Sequence, residues 1–438
     1  MHSVRGGIVR ILMLNNEFPP LGGGTGSVNQ ALLQRLAHIV DLEIDLFTAA
    51  LGRTPEREQF SERIHLYKVP VNNRDIHHSS NRELLTYAAL ALPAALARHR
   101  ALPYDFCFAW SAVPAGGVAL ALRRLTGLPY LVRVSGPDIP GFEERYARLY
   151  PVLTPIIRSV WRNATLVVAK CDGEAAMVRR VDPSITPVLV PNGVDVHAFR
   201  VAAPRNNGPL RIICVARLIE RKGQRHLLAA LRRLRDAGVT ATVEFVGTGD
   251  AAQAYRAEAD RLGIANQVTF AGYVPRERIA DHYAAADVFV LPSYNEGMSV
   301  ATLEAMAAGL PLVVTRTSGT AELVQEGENG LTFAWGDVET LVRHLAYLAA
   351  NREVVRQMGA ASRRRAERMS WDAVTARYLE IFDWMLNRGV YGTGCMVEFP
   401  RDRNARRDED DSDCGDCSGD LAGGRPDQTA ASGVSAGL

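Results

Sequence analysis

Two cations stand in a turn whose neighbours place it at the end of a strand. Arg217-Leu-Ile-Glu-Arg-Lys222-Gly223 follows the strand-like run Leu210–Val215 and precedes a helix-like one, Gln224–Asp236. Ligands of parallel α/β sheets bind at the carboxyl ends of strands. Fixed cations there stabilise the negative charge that develops on a departing diphosphate. Glu220 and Arg221 read as the solvated members of the same turn. Lys222 stands out further because only three of the 50 Lys and Arg residues are lysine, namely Lys68, Lys170 and Lys222.

A second stretch, from Asn295-Glu296-Gly297-Met298-Ser299 to Glu304 and Gly309, follows the strand-like Val288–Leu291. Glu304 falls in a short helix otherwise built of Ala, Leu, Val and Met. A carboxylate there is costly unless something pairs with it, and no cation lies one helical turn away. Ribose hydroxyls, donating to it, would satisfy it. The backbone N–H groups of Gly297–Ser299, at a helix start, suit a phosphate. The third stretch, Pro19-Pro20-Leu21-Gly22-Gly23-Gly24-Thr25-Gly26-Ser27, also lies between a strand and a helix. It departs from the dinucleotide spacing G-x-G-x-x-G. Its glycines let backbone approach an anion at a helix N-terminus.

These elements require an α/β fold of two consecutive doubly wound domains. The first domain's strand candidates are Val9–Leu14, Leu42–Phe47, Ile64–Lys68, Phe106–Trp110, Tyr130–Val134, Leu166–Ala169 and Val188–Val190. Its helices are expected near Ser27–His38, Arg82–Arg98, Ala115–Leu125 and Glu143–Arg162. Ala202–Pro209 reads as a linker. The second domain opens at Leu210–Val215 and continues through strands Thr242–Val246, Gln267–Phe270, Val288–Leu291 and Leu312–Thr315. Helices near Gln224–Asp236, Ala251–Leu262, Arg276–Ala285 and Val300–Ala308 alternate with them. Helices at Val338–Ala349, Val354–Met358 and Trp371–Asn387 close the folded part. The expected domains are 1–200, 201–370, a helix 371–387 crossing back to the first domain, and a low-complexity tail 388–438. The default binding site is the cleft between the two domains.

Together the three stretches resemble the retaining glycosyltransferase family 4, of GT-B fold, over roughly residues 10–387. Glu296 and Glu304 match its Glu-x7-Glu pattern, and Arg217 and Lys222 its donor Arg and Lys. Pro191-Asn192-Gly193-Val194-Asp195 and the Gly22-Gly23 loop also look like that family. The resemblance implies that Arg217 and Lys222 hold the diphosphate of a UDP- or GDP-linked sugar, Glu304 the ribose and Glu296 the hexose hydroxyls. It implies backbone contacts from Gly297, Met298 and Ser299, closure of Gly22 and Gly23 over the diphosphate, and base contact near Gly272-Tyr273-Val274. It further implies retention of anomeric configuration and no metal or other cofactor, in keeping with the lack of an Asp-x-Asp motif at a strand end. One position departs: many relatives carry a His in the loop that here reads Arg133-Val-Ser135-Gly136-Pro137-Asp138. Asp138 stands as the polar candidate to touch hexose or acceptor, or else as a residue capping its own turn.

Other readings explain less. A nicotinamide dehydrogenase would use the glycine loop and Asp45, but not Arg217, Lys222, Glu296 and Glu304. A GT-B epimerase would need an acid–base set absent from the first domain. A non-catalytic sugar-nucleotide-binding protein would be expected to lose donor residues. Composition is that of a globular protein, 47% hydrophobic and 22% charged, and a net charge of +2 argues against a dedicated nucleic-acid partner. The acceptor, a glycan, a lipid-linked sugar or a small molecule, is not legible. The 143–163 segment alternates Arg145, Arg148, Arg158 and Arg162 with Leu149, Leu153, Ile156, Ile157 and Trp161. It suits either an anionic membrane surface or packing on its own sheet. Cys107, Cys171 and Cys214 read as buried small hydrophobes, which favours a reducing compartment. Arg10 breaks the apolar run near the start, no cleavage site follows, and no 18-residue apolar stretch occurs, so a cytoplasmic protein is expected. Residues 401–438 read as disordered, and Cys414-x-x-Cys417 as half a zinc site or as spare thiols.

Overall fold

The computed structural model describes residues 7–73, 79–201 and 207–391. Cys395, Cys414, Cys417 and the acidic tail lie outside them, as does most of the expected linker.

In chain order the N-terminal half runs β1 (Val9–Leu14), α1 (Gly24–Leu36), β2 (Leu42–Ala50), β3 (Glu56–Ser61), β4 (Ile64–Pro70) and α2 (Asn81–Ala101). It continues with β5 (Phe106–Ala109), α3 (Gly117–Thr126), β6 (Tyr130–Arg133), α4 (Tyr150–Asn163), β7 (Leu166–Ala169), α5 (Asp172–Val181) and β8 (Val188–Leu189). The second half runs β9 (Leu210–Val215), α6 (Gln224–Asp236), β10 (Ala241–Val246), α7 (Ala252–Arg261), β11 (Val268–Gly272), α8 (Arg276–Ala285) and β12 (Val288–Leu291). Then follow α9 (Val300–Ala307), β13 (Leu312–Thr315), α10 (Thr320–Leu323), β14 (Gly330–Phe333), α11 (Val338–Ala350), α12 (Arg352–Glu367) and α13 (Trp371–Tyr391).

Two sheets result, ordered β3-β4-β2-β1-β5-β6-β7-β8 and β11-β10-β9-β12-β13-β14. All ladders are parallel except β3 with β4. Apart from that edge hairpin, both sheets reverse winding direction at one point, between β1 and β5 and between β9 and β12. This is the doubly wound, Rossmann-like order. The core strands are continuous apolar runs because helices cover both faces: Val288, Phe289, Val290 and Leu291 are all buried.

Several elements depart from expectation. β3, Glu-Arg-Glu-Gln-Phe-Ser, is an exposed edge strand without apolar alternation, so periodicity is blind to it. β14 is short and α5 is polar, and neither was foreseen. The single helix expected over Glu143–Arg162 is instead a 3-10 turn, Glu144–Tyr146, followed by α4. Pro151, lacking an N–H, suits the first turn of a new helix rather than the interior of a longer one. α12 extends well beyond the expected Val354–Met358.

α13 packs on the first sheet: Phe382 lies 5.4 Å from Phe106 and Tyr378 5.5 Å from Phe108, ring centre to ring centre. Where the chain passes between the domains, Val194 N–H donates to Met369 O and Trp371 N–H to Val194 O. Gly193 is required there, because a Cβ would fall 2.5 Å from the Trp371 ring.

Candidate active site

Both motifs leave strands that flank the switch point of the second sheet: Arg217 and Lys222 follow β9, and Glu296 follows β12. Strand order thus brings together residues far apart in sequence. The Lys222 ammonium contacts the Glu296 carboxylate directly. Burial opposes ionisation of Glu296, but the charges of Lys222 and Arg221 outweigh it and hold the carboxyl below its usual range. Arg217 is solvent-exposed, and its carbonyl accepts from Gln224 Nε2 at 2.8 Å. Gly223 takes φ +69° under Trp335 and the Pro292 carbonyl, where a Cβ would overlap both.

Glu304 is half-buried on α9 and accepts from the Tyr283 hydroxyl at 3.0 Å. Burial raises its pKa against the opposing effects of Tyr283 and Arg276. Tyr283, on α8, is the partner that sequence reasoning missed. Glu304 lines a cavity of about 320 Å³ together with Gly24 and Ser27 of the first domain, Asp195 of the crossover, and Gly247, Tyr273 and Arg276 of the second. The cleft between the domains therefore has a concrete volume.

Between Glu296 and Glu304, the Ser299 hydroxyl caps α9 by accepting from Thr302 N–H at 3.3 Å. Met298 is buried; its carbonyl accepts from Asn192 Nδ2 at 2.9 Å and its sulfur from Asn192 N–H at 3.0 Å. Asn192 in turn accepts from Arg133, a fully buried guanidinium that also donates to the Tyr378 hydroxyl at 3.1 Å and stacks over Trp110. Asn192 of the crossover and Arg133 of the first domain thus hold the loop of the second.

The glycine loop lies across the cleft from α9, with Gly24 facing Val300. Gly22 has φ +93°, and a Cβ there would strike Glu17. Gly23 N–H, at the start of α1, donates to Glu17 Oε2 at 3.3 Å. A carboxylate therefore sits where the sequence led us to expect a phosphate.

Asp138 is engaged by backbone on both oxygens. Its carboxylate oxygens accept the backbone N–H groups of Ala112 and, at 2.7 Å, Ser135. It caps its own turn and ties the β5 and β6 exits together, and burial raises its pKa. Asp45 is likewise occupied: it lies within β2, not at a strand end, and accepts from Arg98 and Tyr104 at 2.9 and 2.6 Å. That removes the dinucleotide ribose reading.

Contacts bridge the domains around the loop that carries Glu296. Asn295 Nδ2 donates to Phe142 O at 2.8 Å, the Tyr294 hydroxyl to Glu144 at 3.1 Å, and Arg221 lies 3.7 Å from Glu143. On the far side, Lys170 and Glu174 pack against Gly297. Composition had singled out Lys170 as one of three lysines, but nothing local placed it at the site.

Both halves of the chain match known proteins. Residues 23–193 match the model of the glycosyl transferase 4-like domain, and residues 195–365 that of glycosyl transferases group 1. The chain is 27% identical over 390 residues to a GDP-mannose-dependent alpha-(1-6)-phosphatidylinositol monomannoside mannosyltransferase of Mycobacterium tuberculosis, covering 84% of this chain and 96% of that protein. It is 29% identical over 277 residues to a sulfoquinovosyl transferase of Arabidopsis thaliana, covering 59% and 52%. Among solved structures, sucrose-phosphate synthase from Thermosynechococcus elongatus superposes with a TM-score of 0.74 at 21% identity, over 85% of this chain and 98% of that one. HepE of Anabaena in complex with UDP superposes with a TM-score of 0.68 at 18% identity, over 85% and 99%. With both of its domains matched in order, the chain belongs to the family-4-like glycosyltransferases of GT-B fold.

Proposed function

We propose that this enzyme moves a hexose from a nucleoside-diphosphate donor to a glycan or lipid-linked acceptor, with retention and without a divalent metal. The observation that carries this reading is Lys222 and Glu296 at the switch point beside the interdomain cavity that Glu304 lines. Glu304 accepts ribose hydroxyls, Lys222 and Arg217 face the diphosphate, and Glu296 accepts hexose hydroxyls. As the bond from the anomeric carbon to the phosphate oxygen breaks, charge on the diphosphate is stabilised by the cations. The acceptor oxygen bonds the anomeric carbon from the same face, and its proton passes to the departing phosphate.

The relatives' names support a sugar-nucleotide donor: one is named for GDP-mannose, and a structural neighbour was solved with UDP-glucose. Incubation with UDP- and GDP-linked hexoses, with and without acceptor extract, tests the reading. Acceptor-dependent release of nucleoside diphosphate, with an α-linked product from an α-linked donor, is expected. A sugar-nucleotide isomer as the only product would identify an epimerase, and binding without turnover a non-catalytic protein.

Among the described residues no helix is long and apolar enough to cross a membrane. α4 supports a peripheral site instead. Val152 is 70% and Ile156 46% exposed, with Leu149 at the helix start, and Arg148, Arg158 and Arg162 of the same segment reach solvent. Such a face suits an anionic lipid surface carrying the acceptor. Arg158 and Arg162 also bind their own domain, at Val181 O and Asp182. Arg145 lies outside the described side chains.

A further inference from the structure

Two of the chain's three lysines reach adjacent residues of one loop from different sides. Lys222 meets Glu296. Lys170, at the cleft end of β7, pairs with Glu174 in the first turn of α5 at 2.5 Å, and this pair lies against Gly297. A Cβ at position 297 would fall 2.5 Å from Glu174 Oε1 and 3.3 Å from Lys170 Cε. The contact is made against bare backbone. A side chain on Gly319 would overlap the Gly297 carbonyl, and one on Gly173 the Ser318 carbonyl. Asp172 N–H, beside Gly173, donates to Glu322 of the second domain. The start of α5 is thus seated on the donor loop and on the turn behind it.

A backbone hydrogen bond ahead of α5 accounts for Glu174, whose second oxygen accepts Lys170 N–H at 3.3 Å, but it needs no ammonium. A buried ion pair is also a poorer stabiliser than apolar packing of the same volume. The pair's place against Gly297 supplies the missing reason.

We propose that Lys170 and Glu174 are a positioning pair. From the first domain they hold the Glu296–Gly297 segment opposite Lys222, setting the Glu296 carboxylate against the donor hexose when the domains are together. Neutralised by each other, they fix the backbone without competing for the diphosphate. The proposal rests on the glycosyl-transfer reading above.

The test is the double variant Lys170→Met/Glu174→Gln, which removes both charges and leaves no single one buried, compared with the wild-type enzyme. Melting temperature, affinity for UDP and GDP without sugar, and kcat and KM for the donor are measured. Expected are a melting temperature near wild type, nucleoside diphosphate affinity within about twofold and kcat lowered at least about tenfold, because misplacing a reacting group acts on the chemical step. If the double variant does not fold, Gly297→Ala, which pushes the pair off the loop, should give the same pattern. Wild-type kcat and KM in the folded variant would overturn the proposal, as would losses of kcat, nucleotide affinity and melting temperature in parallel. A wild-type enzyme without sugar-nucleotide turnover would overturn the glycosyl-transfer reading first and this inference with it.

Discussion

Lys222 and Glu296, 74 residues apart, meet as an ion pair because β9 and β12 are neighbours at the point where the second sheet changes direction. Each neutralises the other before a donor arrives. In the proposed reading the pair unites two functions: the cation for the diphosphate is held in place by the carboxylate for the hexose.

Lys222→Ala is expected to lower turnover by about 100-fold or more, since charge on the leaving group loses its counter-charge. The side chains are only 15% and 19% exposed, so the variant also strands a largely buried carboxylate, at a cost of about 3–5 kcal/mol in stability. That exceeds what a solvated amine would contribute. Lys222→Ala/Glu296→Gln should recover the stability and not the turnover. Because Glu296 is held below its usual pKa in the fold, its ion pair stabilises above the ordinary carboxylate value. That contribution is lost as pH falls through the depressed one. Melting curves across the acidic range, against the double variant, check this.

Glu304→Gln separates binding from stability. Burial raises the Glu304 pKa, so its ionised form at neutral pH costs folding energy, which is absent below the ordinary carboxylate value. The variant should melt at or above the wild-type temperature at pH 7, and the difference should vanish in acid. Donor affinity should fall by about 10- to 100-fold, the cost of losing hydrogen bonds to a charged acceptor. Calorimetric titration with the donor measures it.

Turnover in excess EDTA should match turnover with magnesium to within about twofold, because in the proposed chemistry side chains supply the positive charge that meets the diphosphate. Initial rates in the two conditions decide it; activity abolished by EDTA and restored by magnesium would contradict the proposed chemistry.

Val152→Asp/Ile156→Asp should reduce sedimentation with anionic vesicles at least about tenfold, as each buried aliphatic side chain contributes about 1.5–3 kcal/mol. The melting temperature should hold, since both side chains already face solvent. Raised salt should weaken the residual binding.

Much of the site was legible because its motifs are local. A strand, a turn with a Lys or Glu, and a helix form one contiguous stretch, and the strand's hydrophobic run points the turn at the cleft. What escaped was non-local or without pattern. β3 lacks apolar alternation because both its faces meet solvent. Tyr283 finds Glu304 only through the packing of α8 beside α9. The Ala112 N–H that meets Asp138 comes from another strand's exit, so the contact could not be read from the Asp138 loop.

By itself the sequence determined most of the element types, the doubly wound class of both halves and the chemical groups at the strand ends, since these depend on periodicity and turn residues within a short window. Only the tertiary structure decided which groups meet: Lys222 with Glu296, Lys170 and Glu174 with Gly297, and Arg133 through Asn192 with Met298. Those pairings depend on strand order and on how one domain seats against the other. Both are settled by the burial of whole sheet and helix faces, and no short segment encodes them.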